Sequence, residues 1–330
     1  MLRGSQRGVL GKIAADLERS LRDRVVRGAP GGQRDRRIAG GEGWAVADVI
    51  CTSGPGDRSF EEQHTRTSVA VVLAGTFQYR SGRGRVMLTP GSLLLGNSGD
   101  PFECGHEHAP GDRCVAFHFS TEYFDRLAAD AGVPRNERHF RGARLPPVRD
   151  LSSLVSRATV GVGGVRDVAW EELAIELAAT AVRLDAGVST PPRAPLSAAV
   201  ARVTESVRRI ERSPETRLTL AQLAADAGQS PFHYLRTFEQ LAGVTPHQFI
   251  LRTRLRHAAA RLLTDKARVI DVALDAGFND VSTFNRGFRA EFGTAPLAYR
   301  EGGLRTAGAN AGNAKRRKCL KAEVPKSENA

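Results

Sequence analysis

The hydrophobic pattern of the first half of the chain predicts strands. From Trp44 to Phe119, short apolar runs alternate with turns rich in Gly, Pro and Asp. Residues 81–84 read as a hairpin turn between two of these runs. Many short strands without intervening helices indicate a small β-sandwich or barrel. The predicted strands cover residues 44–51, 67–73, 76–80, 85–88, 92–95 and 113–119.

Helical spacing replaces this pattern from about residue 121. Apolar positions three and four residues apart predict helices over 123–131, 150–158 and 170–184. The last of these has a wide apolar stripe from Trp170 to Leu184. That stripe either joins two copies of the chain or packs on the chain's own barrel. A proline-rich linker, 189–196, then separates the two halves, because no helix runs through its prolines.

The two ends of the chain are basic and weakly patterned. Residues 1–40 predict a mobile segment with a short amphipathic helix over 13–26. Residues 301–330 lack apolar periodicity and predict a disordered tail. The run Lys315 to Lys318 in that tail is either a flexible arm that attracts phosphates or solvated charge with no role.

The second half repeats itself. Alanines, an aspartate and a turn glycine recur at an offset of 49, and after one extra turn residue an arginine, an aromatic, a glycine and a proline recur at an offset of 50. The pairs are Ala224/Ala273, Asp226/Asp275, Ala227/Ala276, Gly228/Gly277, Arg236/Arg286, Phe238/Phe288, Gly243/Gly293, Pro246/Pro296 and Phe249/Tyr299. Two helix-turn-helix units in register predict a double reader of DNA, whereas a single unit would equally fit an ordinary helical bundle.

Helix punctuation within the repeat supports this interpretation. Thr219 and Gln222 have the spacing of a capping box, and Ser230 followed by Pro231 begins a second helix. Thr245 and Pro246 repeat the device for a connecting helix to about residue 263, roughly 18 residues or about 27 Å long. Recognition helices held this far apart would suit successive major grooves, which recur about every 34 Å.

Each recognition helix divides into a core face and an outward face. Tyr234, Phe238 and Leu241 in the first, and Phe284, Phe288 and Phe292 in the second, recur at core spacing. Arginine suits guanine and asparagine suits adenine, so the outward residues are candidates for base contacts. These outward residues are Phe232, His233, Leu235, Arg236 and Glu239, and Val281, Ser282, Asn285, Arg286 and Arg289. The candidates for phosphate contacts are Thr216, Arg217, Arg252, Arg254 and Arg268.

The C-terminal region resembles the DNA-binding domain of the AraC/XylS family of bacterial transcription regulators. The resemblance is carried by SPFHYLRTF (230–238), GVTP (243–246), AGFND (276–280), FNRGF (284–288), FGTAP (292–296), Tyr299 and Arg300. It implies promoter binding by two helix-turn-helix subdomains joined by a helix, often with activation through contact with RNA polymerase. It also implies base contacts by Phe232, Leu235, Arg236, Val281, Ser282, Thr283, Asn285 and Arg286. The N-terminal strands are similar to the cupin-like sensor domains of this family, which implies a small-molecule pocket in the barrel and dimerisation through flanking helices.

Composition and charge agree with a DNA-binding half and a sensor half. The 330 residues carry a net charge of +12. Residues 197–300 hold 15 basic and 10 acidic side chains, whereas residues 41–196 hold 16 and 19. No apolar stretch is long enough to span a bilayer and no signal peptide opens the chain, so we expect a cytoplasmic protein with no membrane partner. The four cysteines, Cys51, Cys104, Cys114 and Cys319, are too few for a disulfide scaffold.

One polar constellation in the strand-rich half is a candidate metal site. Cys104, His106, His108 and Cys114 lie within eleven residues, and four such groups would close a tetrahedral zinc site. His64 would be a substitute ligand. The spacing matches no standard zinc motif, and the cupin metal signature of paired histidines, a glutamate and a later histidine is not present in the usual order. Ordinary loop histidines beside buried cysteines are therefore the alternative.

These observations predict an α+β protein of two domains. Residues 41–188 would form a cupin-like barrel with flanking helices that senses a ligand and dimerises, and residues 197–300 would form an all-α DNA-binding domain of two helix-turn-helix subdomains joined by a linker helix. The predicted function is sequence-specific regulation of transcription, as an activator, with promoter DNA, RNA polymerase, a small-molecule effector and a second copy of the chain as partners. No cofactor and no enzymatic activity are expected. The alternatives are a metal-dependent cupin enzyme with an accessory helical domain and a repeat-built scaffold without base readout.

Overall fold

The computed structural model describes residues 8–59, 61–165, 167–186 and 197–302. Strands dominate up to residue 119, and the regular elements within residues 197–302 are all helices, as the hydrophobic pattern predicts. The predictions for the linker 189–196 and for the tail beyond residue 302 lie outside the described residues. Within the described ranges, no helix combines the length and the apolar character needed to cross a membrane.

The N-terminal half contains two antiparallel sheets. The larger sheet has the strand order β1-β2-β9-β4-β7-β10, and the smaller one has the order β3-β8-β5-β6. Strands β5 and β6 form the predicted hairpin, with Ser81 paired to Gly84. The strands are β1 Gln33–Gly41, β2 Trp44–Cys51, β3 Glu61–Gln63, β4 Thr67–Gly75, β5 Phe77–Ser81, β6 Gly84–Leu88, β7 Leu93–Gly96, β8 Pro101–Gly105, β9 Asp112–Phe119 and β10 Arg144–Leu145.

Alternation along the strands sends side chains into two different cores. In β9, Cys114 and Ala116 face the smaller sheet, where they pack with Tyr79 and Leu88. Val115, Phe117 and Phe119 face the opposite side and join a core formed with helices. The four helices of this half are α1 Val9–Arg27, α2 Thr121–Asp130, α3 Ser152–Val162 and α4 Trp170–Ala186.

The prediction that residues 1–40 are mobile is wrong for the part of this segment that the structure describes. Helix α1 buries Val9, Ile13 and Leu17 in the core beside the large sheet. Strand β1 pairs with β2 over its whole length. It is an edge strand whose side chains are mostly exposed, so its sequence is polar and lacks the alternation that reveals a half-buried strand.

The packing of helix α4 shows which of the two alternatives holds for its apolar stripe, contact between two copies of the chain or packing on the chain's own barrel. Leu173, Leu177, Ala178 and Ala181 are fully buried and belong to the same core as the large sheet. Its neighbours include α2, α3, β1 and β4. The stripe therefore packs on the chain's own barrel, and among its large hydrophobic residues only Ile175 is prominently exposed.

The C-terminal half consists of helices around two small cores. One core is shared by α5, α6, α7 and the start of α8, and the other by the rest of α8, α9 and α10. Helix α5 is not anticipated by the sequence pattern, although it buries Val203, Val207 and Ile210. These helices are α5 Ser197–Arg212, α6 Leu220–Asp226, α7 Pro231–Ala242, α8 Pro246–Thr264, α9 Val269–Asp275 and α10 Val281–Phe292, and residues 296–302 are also helical.

Candidate functional site

Side-chain caps define where the two recognition helices, α7 and α10, begin. The hydroxyl of Ser230 accepts from the backbone N–H of His233, and Pro231 occupies the first turn of α7. The carboxylate of Asp280 accepts from the backbone N–H of Thr283 at 2.7 Å and caps α10. These caps satisfy backbone N–H groups that would otherwise lack partners at the helix start.

The preceding turns use glycine for conformational and steric reasons. Gly228, between α6 and α7, has φ +62°, and Gly277, between α9 and α10, has φ +84°. A Cβ atom at Gly277 would also lie 2.7 Å from the Cα of Glu215. Glycine at the second turn thus lets the second unit approach the loop that follows α5.

The predicted core faces of both recognition helices are confirmed. Tyr234 and Phe238 of α7 have no exposed surface, and Leu241 is 3% exposed. Phe284 and Phe288 of α10 also have none, and Phe292 packs against them. This burial fixes which side of each helix remains available to a partner.

The opposite sides show the same exposure in both helices. His233 and Arg236 are exposed, as are their counterparts Thr283 and Arg286. Leu235 and its counterpart Asn285 are both half-buried. Of the remaining predicted contacts, Ser282 is exposed, Val281 is half-buried, and the side chain of Phe232 lies outside the described part of the structure. Each recognition helix therefore presents an exposed arginine, a residue type suited to guanine, on the side away from its core.

Two of the predicted phosphate contacts have other roles in the structure. The guanidinium of Arg254 donates to the carbonyl oxygens of Pro214 (2.7 Å), Thr216 (3.0 Å) and Gly277 (3.0 Å). It therefore ties the loop after α5 to the turn of the second unit. Arg252 is only 14% exposed and forms an ion pair with Glu291 at 3.3 Å. Both sets of contacts join distant segments, which residue type alone does not reveal, and the phosphate contacts of Arg252 and Arg254 stay predictions.

The other predicted phosphate contacts lie at the surface. Thr216 and Arg217 are exposed, and Arg217 donates to the side-chain oxygen of Asn279 at 2.9 Å. Arg268 is 80% exposed and pairs with Asp271 at the start of α9. Polar or charged side chains thus lie at the surface near the starts of α6 and α9. Their contacts with DNA phosphates stay predictions.

The N-terminal half touches both recognition helices. Arg144 of β10 donates to the carbonyl oxygens of Met87 (2.7 Å) and Leu241, and Pro146 packs against Gly243 at the end of α7. Burial lowers the pKa of Arg144 to about 10, so the guanidinium is still charged at neutral pH. These contacts join the N-terminal half to the first recognition helix.

The second recognition helix is held through one carboxylate. Glu291, near the end of α10, accepts a hydrogen bond from the hydroxyl of Ser152 at the start of α3. Arg149 lies 3.8 Å from the same carboxylate. Helix α8, which connects the two units, also packs against α1 and α3. The position of each recognition helix is therefore coupled to the N-terminal half.

The structure regroups the residues of the candidate metal site. His106 Nε2 lies 2.7 Å from the Asp112 carboxylate, and the thiol of Cys114 donates to the other oxygen of that carboxylate at 3.1 Å. Cys51 stands directly opposite Asp112 in the β2–β9 register. Sequence spacing missed Cys51, because only strand pairing brings it to Asp112 and His106. Asp112 lies within the same short segment as His106 but is not among the predicted ligands.

The remaining predicted ligands have different surroundings. Cys104 lies in β8 opposite Tyr79, and its side chain is half-buried. His108 is hydrogen-bonded instead to the hydroxyl of Ser197 at 3.2 Å. His64 is 2.7 Å from the hydroxyl of Tyr79, and burial lowers the pKa of His64 to about 4.

Burial and polar contacts set the charge of the regrouped cluster. Burial by itself would lower the pKa of His106, but the Asp112 carboxylate and the nearby Cys51 thiol outweigh it and raise the pKa to about 10. Burial, followed by the adjacent Asp112 charge, raises the pKa of the Cys114 thiol. His106 is therefore held as a cation beside a carboxylate, and Cys114 as a neutral thiol.

A groove lies on the face of the large sheet opposite to the Cys114 side chain. It has a volume of about 620 Å³ between α1 and strands β1 and β2. Its floor carries Arg113, whose guanidinium binds Asp48 at 2.9 and 3.0 Å, and Arg36 pairs with the same carboxylate. The volume is in the range of small-molecule sites, and the walls are charged.

Comparison with known proteins matches both halves of the chain. A helix-turn-helix domain matches residues 223–302, and an AraC-like ligand binding domain matches residues 48–165. The transcriptional activator NphR of a Rhodococcus species is 31% identical over 244 residues, which cover 71% of this chain and 69% of NphR. The HTH-type transcriptional activator AarP of Providencia stuartii is 33% identical over 98 residues, which cover 30% of this chain and 73% of AarP. Among solved structures, the DNA-binding domain of AdpA in complex with a target DNA matches 31% of this chain and 91% of that chain, at 29% identity and a TM-score of 0.30.

Proposed function

Because the chain belongs to the AraC/XylS family and is a ligand-regulated, DNA-binding transcription regulator, we propose that it activates promoters by reading DNA through α7 and α10. The observation that carries this proposal is the repeated outward face, with Arg236 and Arg286 at equivalent exposed positions. The names of NphR and AarP, both described as transcriptional activators, support activation over repression. Activation would require contact with RNA polymerase in the cytoplasm, where promoter DNA lies.

We assign the base contacts to residues on the outward sides of the two recognition helices, as the sequence predicts. In α7 these are Phe232, His233, Leu235 and Arg236, and in α10 they are Val281, Ser282, Thr283, Asn285 and Arg286. Arg217, Thr216 and Arg268 remain the candidates for phosphate contacts. Arg254 and Arg252 would act indirectly, by fixing the relative position of the two units.

Ligand control would pass through the contacts between the two halves. Each recognition helix touches the N-terminal half near its C-terminal end, through Leu241 in α7 and Glu291 in α10. A ligand that prefers one arrangement of the barrel would therefore change the spacing or orientation of α7 and α10. Such a ligand shifts the equilibrium only by its difference in affinity for the two arrangements. The charged groove beside α1 has the volume for an organic ligand.

Homodimer formation stays a prediction, since the apolar stripe of α4 is used within the chain. A catalytic role is not proposed, because the relatives with the matching domains are named as transcription regulators. An enzyme with an accessory helical domain would show turnover that is independent of DNA.

A transcription assay tests the proposed activity. Purified full-length protein would be added to RNA polymerase and a template carrying the DNA upstream of its own gene and neighbouring genes. We expect more transcript with the wild-type chain than with Arg286→Ala. Equal transcript with both proteins, or a fall in transcript with the wild-type chain, would contradict activation through α10.

A further inference from the structure

Three potential metal ligands from separate segments meet at one end of the barrel. Cys51 is the last residue of β2, Asp112 is the first residue of β9, and His106 follows β8 directly. A thiol sulfur, a ring nitrogen and a carboxylate oxygen, one from each, lie within 4.8 Å of one another. His106 and Asp112 are 6% and 5% exposed, and Cys51 is half-buried. The set combines nitrogen, oxygen and sulfur donors in a mostly buried place.

One nitrogen atom in this cluster has no hydrogen bond within the described part of the chain. Nε2 of His106 is used by Asp112, and the second oxygen of Asp112 accepts from the thiol of Cys114. Nδ1 of His106 is buried and has no hydrogen-bond partner among the residues that the structure describes. A buried polar atom without a partner is unfavourable, so the cluster is not fully satisfied by the hydrogen bonds within it.

The space beside the cluster has the size for an ion. Cys51, Cys104 and His106 line a cavity of about 80 Å³. Organic ligands occupy pockets of about 300–1,000 Å³, so this cavity is too small for them. A metal ion with a water molecule needs far less room.

We propose that Cys51, His106 and Asp112 bind one divalent transition-metal ion of the Zn²⁺ class, with a fourth position open to the cavity that Cys51 and His106 line. Zn²⁺ accepts cysteine sulfur at about 2.3 Å and histidine nitrogen and carboxylate oxygen at about 2.0–2.2 Å, usually as a tetrahedron. Mg²⁺ and Ca²⁺ prefer sets made of oxygen alone, so thiol and imidazole donors select against them. Because Nε2 of His106 and Asp112 share a hydrogen bond, coordination by both would release the Nε2 proton and widen their 2.7 Å separation slightly.

Binding of the ion would also affect the DNA-binding half, through the loop between β8 and β9. His106 and Asp112 lie at the two ends of the connection between β8 and β9, so one ion would anchor this loop at both ends. Within the loop, His108 shares a hydrogen bond with Ser197, the first residue of α5. Helix α5 packs in turn against α7. We therefore expect metal binding to change the affinity for DNA, an extension that rests on the proposed function.

Metal titration of the full-length chain tests the site directly. The reduced protein, freed of metal by a chelator and carrying Cys319→Ser to remove a thiol outside the described residues, would be titrated with Zn²⁺ against a competing indicator. We expect one ion per chain. Loss of a ligand in Cys51→Ser or His106→Gln should weaken binding at least about tenfold. His108→Gln is the matched control, because His108 is in the same loop but not in the cluster, and it should bind Zn²⁺ as the parent does.

Co²⁺ gives a second readout that does not depend on affinity. The parent protein should show the absorption of tetrahedral Co²⁺ with a thiolate-to-metal charge-transfer band, and Cys51→Ser should lose that band while its circular dichroism spectrum stays unchanged. Absence of stoichiometric binding in the parent, or equal weakening by His106→Gln and His108→Gln, would overturn the site.

DNA binding with and without Zn²⁺ separates the two parts of the inference. A change in DNA affinity on adding Zn²⁺, absent in Cys51→Ser, would support regulation through the loop. Metal binding with unchanged DNA affinity would overturn the regulatory part alone. Specific DNA binding by a chain that takes up no Zn²⁺ would overturn the metal site and leave the proposed function intact.

Discussion

The first unit, α6 and α7, and the second unit, α9 and α10, share a scaffold and an exposed arginine but differ in the other residues of their outward faces. Both have a seven-residue first helix, a glycine turn, a twelve-residue recognition helix and a glycine with positive φ at its end. At an offset of 50, however, the outward positions differ in chemistry everywhere but at the arginine. The pairs are Phe232/Ser282, His233/Thr283, Leu235/Asn285 and Arg236/Arg286. Packing thus constrains the two cores alike, while each outward face is free to suit its own half of the binding site.

The comparison extends to how each unit meets the barrel. The first unit is held through its backbone, at the carbonyl of Leu241 and at Gly243. The second is held through the side chain of Glu291, which contacts Ser152 and Arg149. Both polar links depend on one side chain, because Arg144 supplies the donor to Leu241 and Glu291 supplies the acceptor in the second unit. A single substitution, at Arg144 or at Glu291, would therefore remove the polar link of either unit to the N-terminal half.

The largest effect should come from the scaffold that the units share. Phe238→Ala and Phe288→Ala each remove a side chain without exposed surface from its core. Each should lower the free energy of unfolding by about 3–5 kcal/mol, because a cavity replaces buried aromatic surface. Chemical denaturation would measure both. A large loss from one substitution and almost none from the other would show that the two cores are not equivalent.

The next effect concerns the arginines that the two faces have in common. Arg236→Ala and Arg286→Ala should each cost about 1–3 kcal/mol at one base pair, or roughly 5- to 150-fold in affinity for the cognate site. Fluorescence anisotropy with cognate and single-base-substituted DNA would measure this. Arg183→Ala, which removes an exposed arginine of α4, is the control and should leave binding unchanged. Unchanged cognate affinity in both test variants would contradict base reading by these helices.

An exchange between equivalent positions sharpens the difference between the faces. Asn285→Leu gives α10 the residue found in α7, and Leu235→Asn does the reverse. Loss of an asparagine–adenine pair should cost toward the lower end of the 1–3 kcal/mol range, because Asn285 is half-buried. Leu235→Asn should raise the preference for adenine at one position in the other half-site. Selection of bound sequences from random DNA would reveal both changes, and identical selected sequences would argue against contact at these positions.

The smallest expected effect concerns the side chains that cap the two recognition helices, Ser230 in α7 and Asp280 in α10. Hydrogen bonds from the backbone N–H and the hydroxyl of Thr283 lower the pKa of Asp280 below its usual 3.8. A lowered pKa in the folded state contributes stability above the usual value, and this contribution is lost as the pH falls through the folded pKa. Asp280→Ser should remove this acid sensitivity, and Ser230→Asp should introduce it in the first unit. Thermal melts at a series of acidic pH values would test the pair, and parallel curves for parent and Asp280→Ser would contradict it.

Local signals predicted the local parts of the structure well. The capping box of Thr219 and Gln222 and the cap at Ser230 appear as the sequence indicates, since each involves residues three apart. The core stripes of α7 and α10 follow for the same reason.

Long-range contacts set the limit of sequence reasoning. Arg254 resembles any surface arginine in sequence, yet it donates to three backbone carbonyls from two other segments. Cys51 joins His106 only because β2 and β9 pair in one register. Strand β1 stayed hidden because an exposed edge strand needs no apolar alternation. The first two misses depend on partners that are distant in sequence, and the third depends on exposure at the edge of the sheet.

Binding to DNA upstream of the protein's own gene and its neighbours tests the central claim most directly. The measurement would use full-length protein at physiological salt with an excess of random competitor DNA, since non-specific attraction to phosphates weakens steeply with salt. The account predicts retention of a specific fragment, with two protected blocks about one helical turn apart, one for each recognition helix. Equal binding to all DNA that disappears as salt rises would contradict it and would leave only a basic surface.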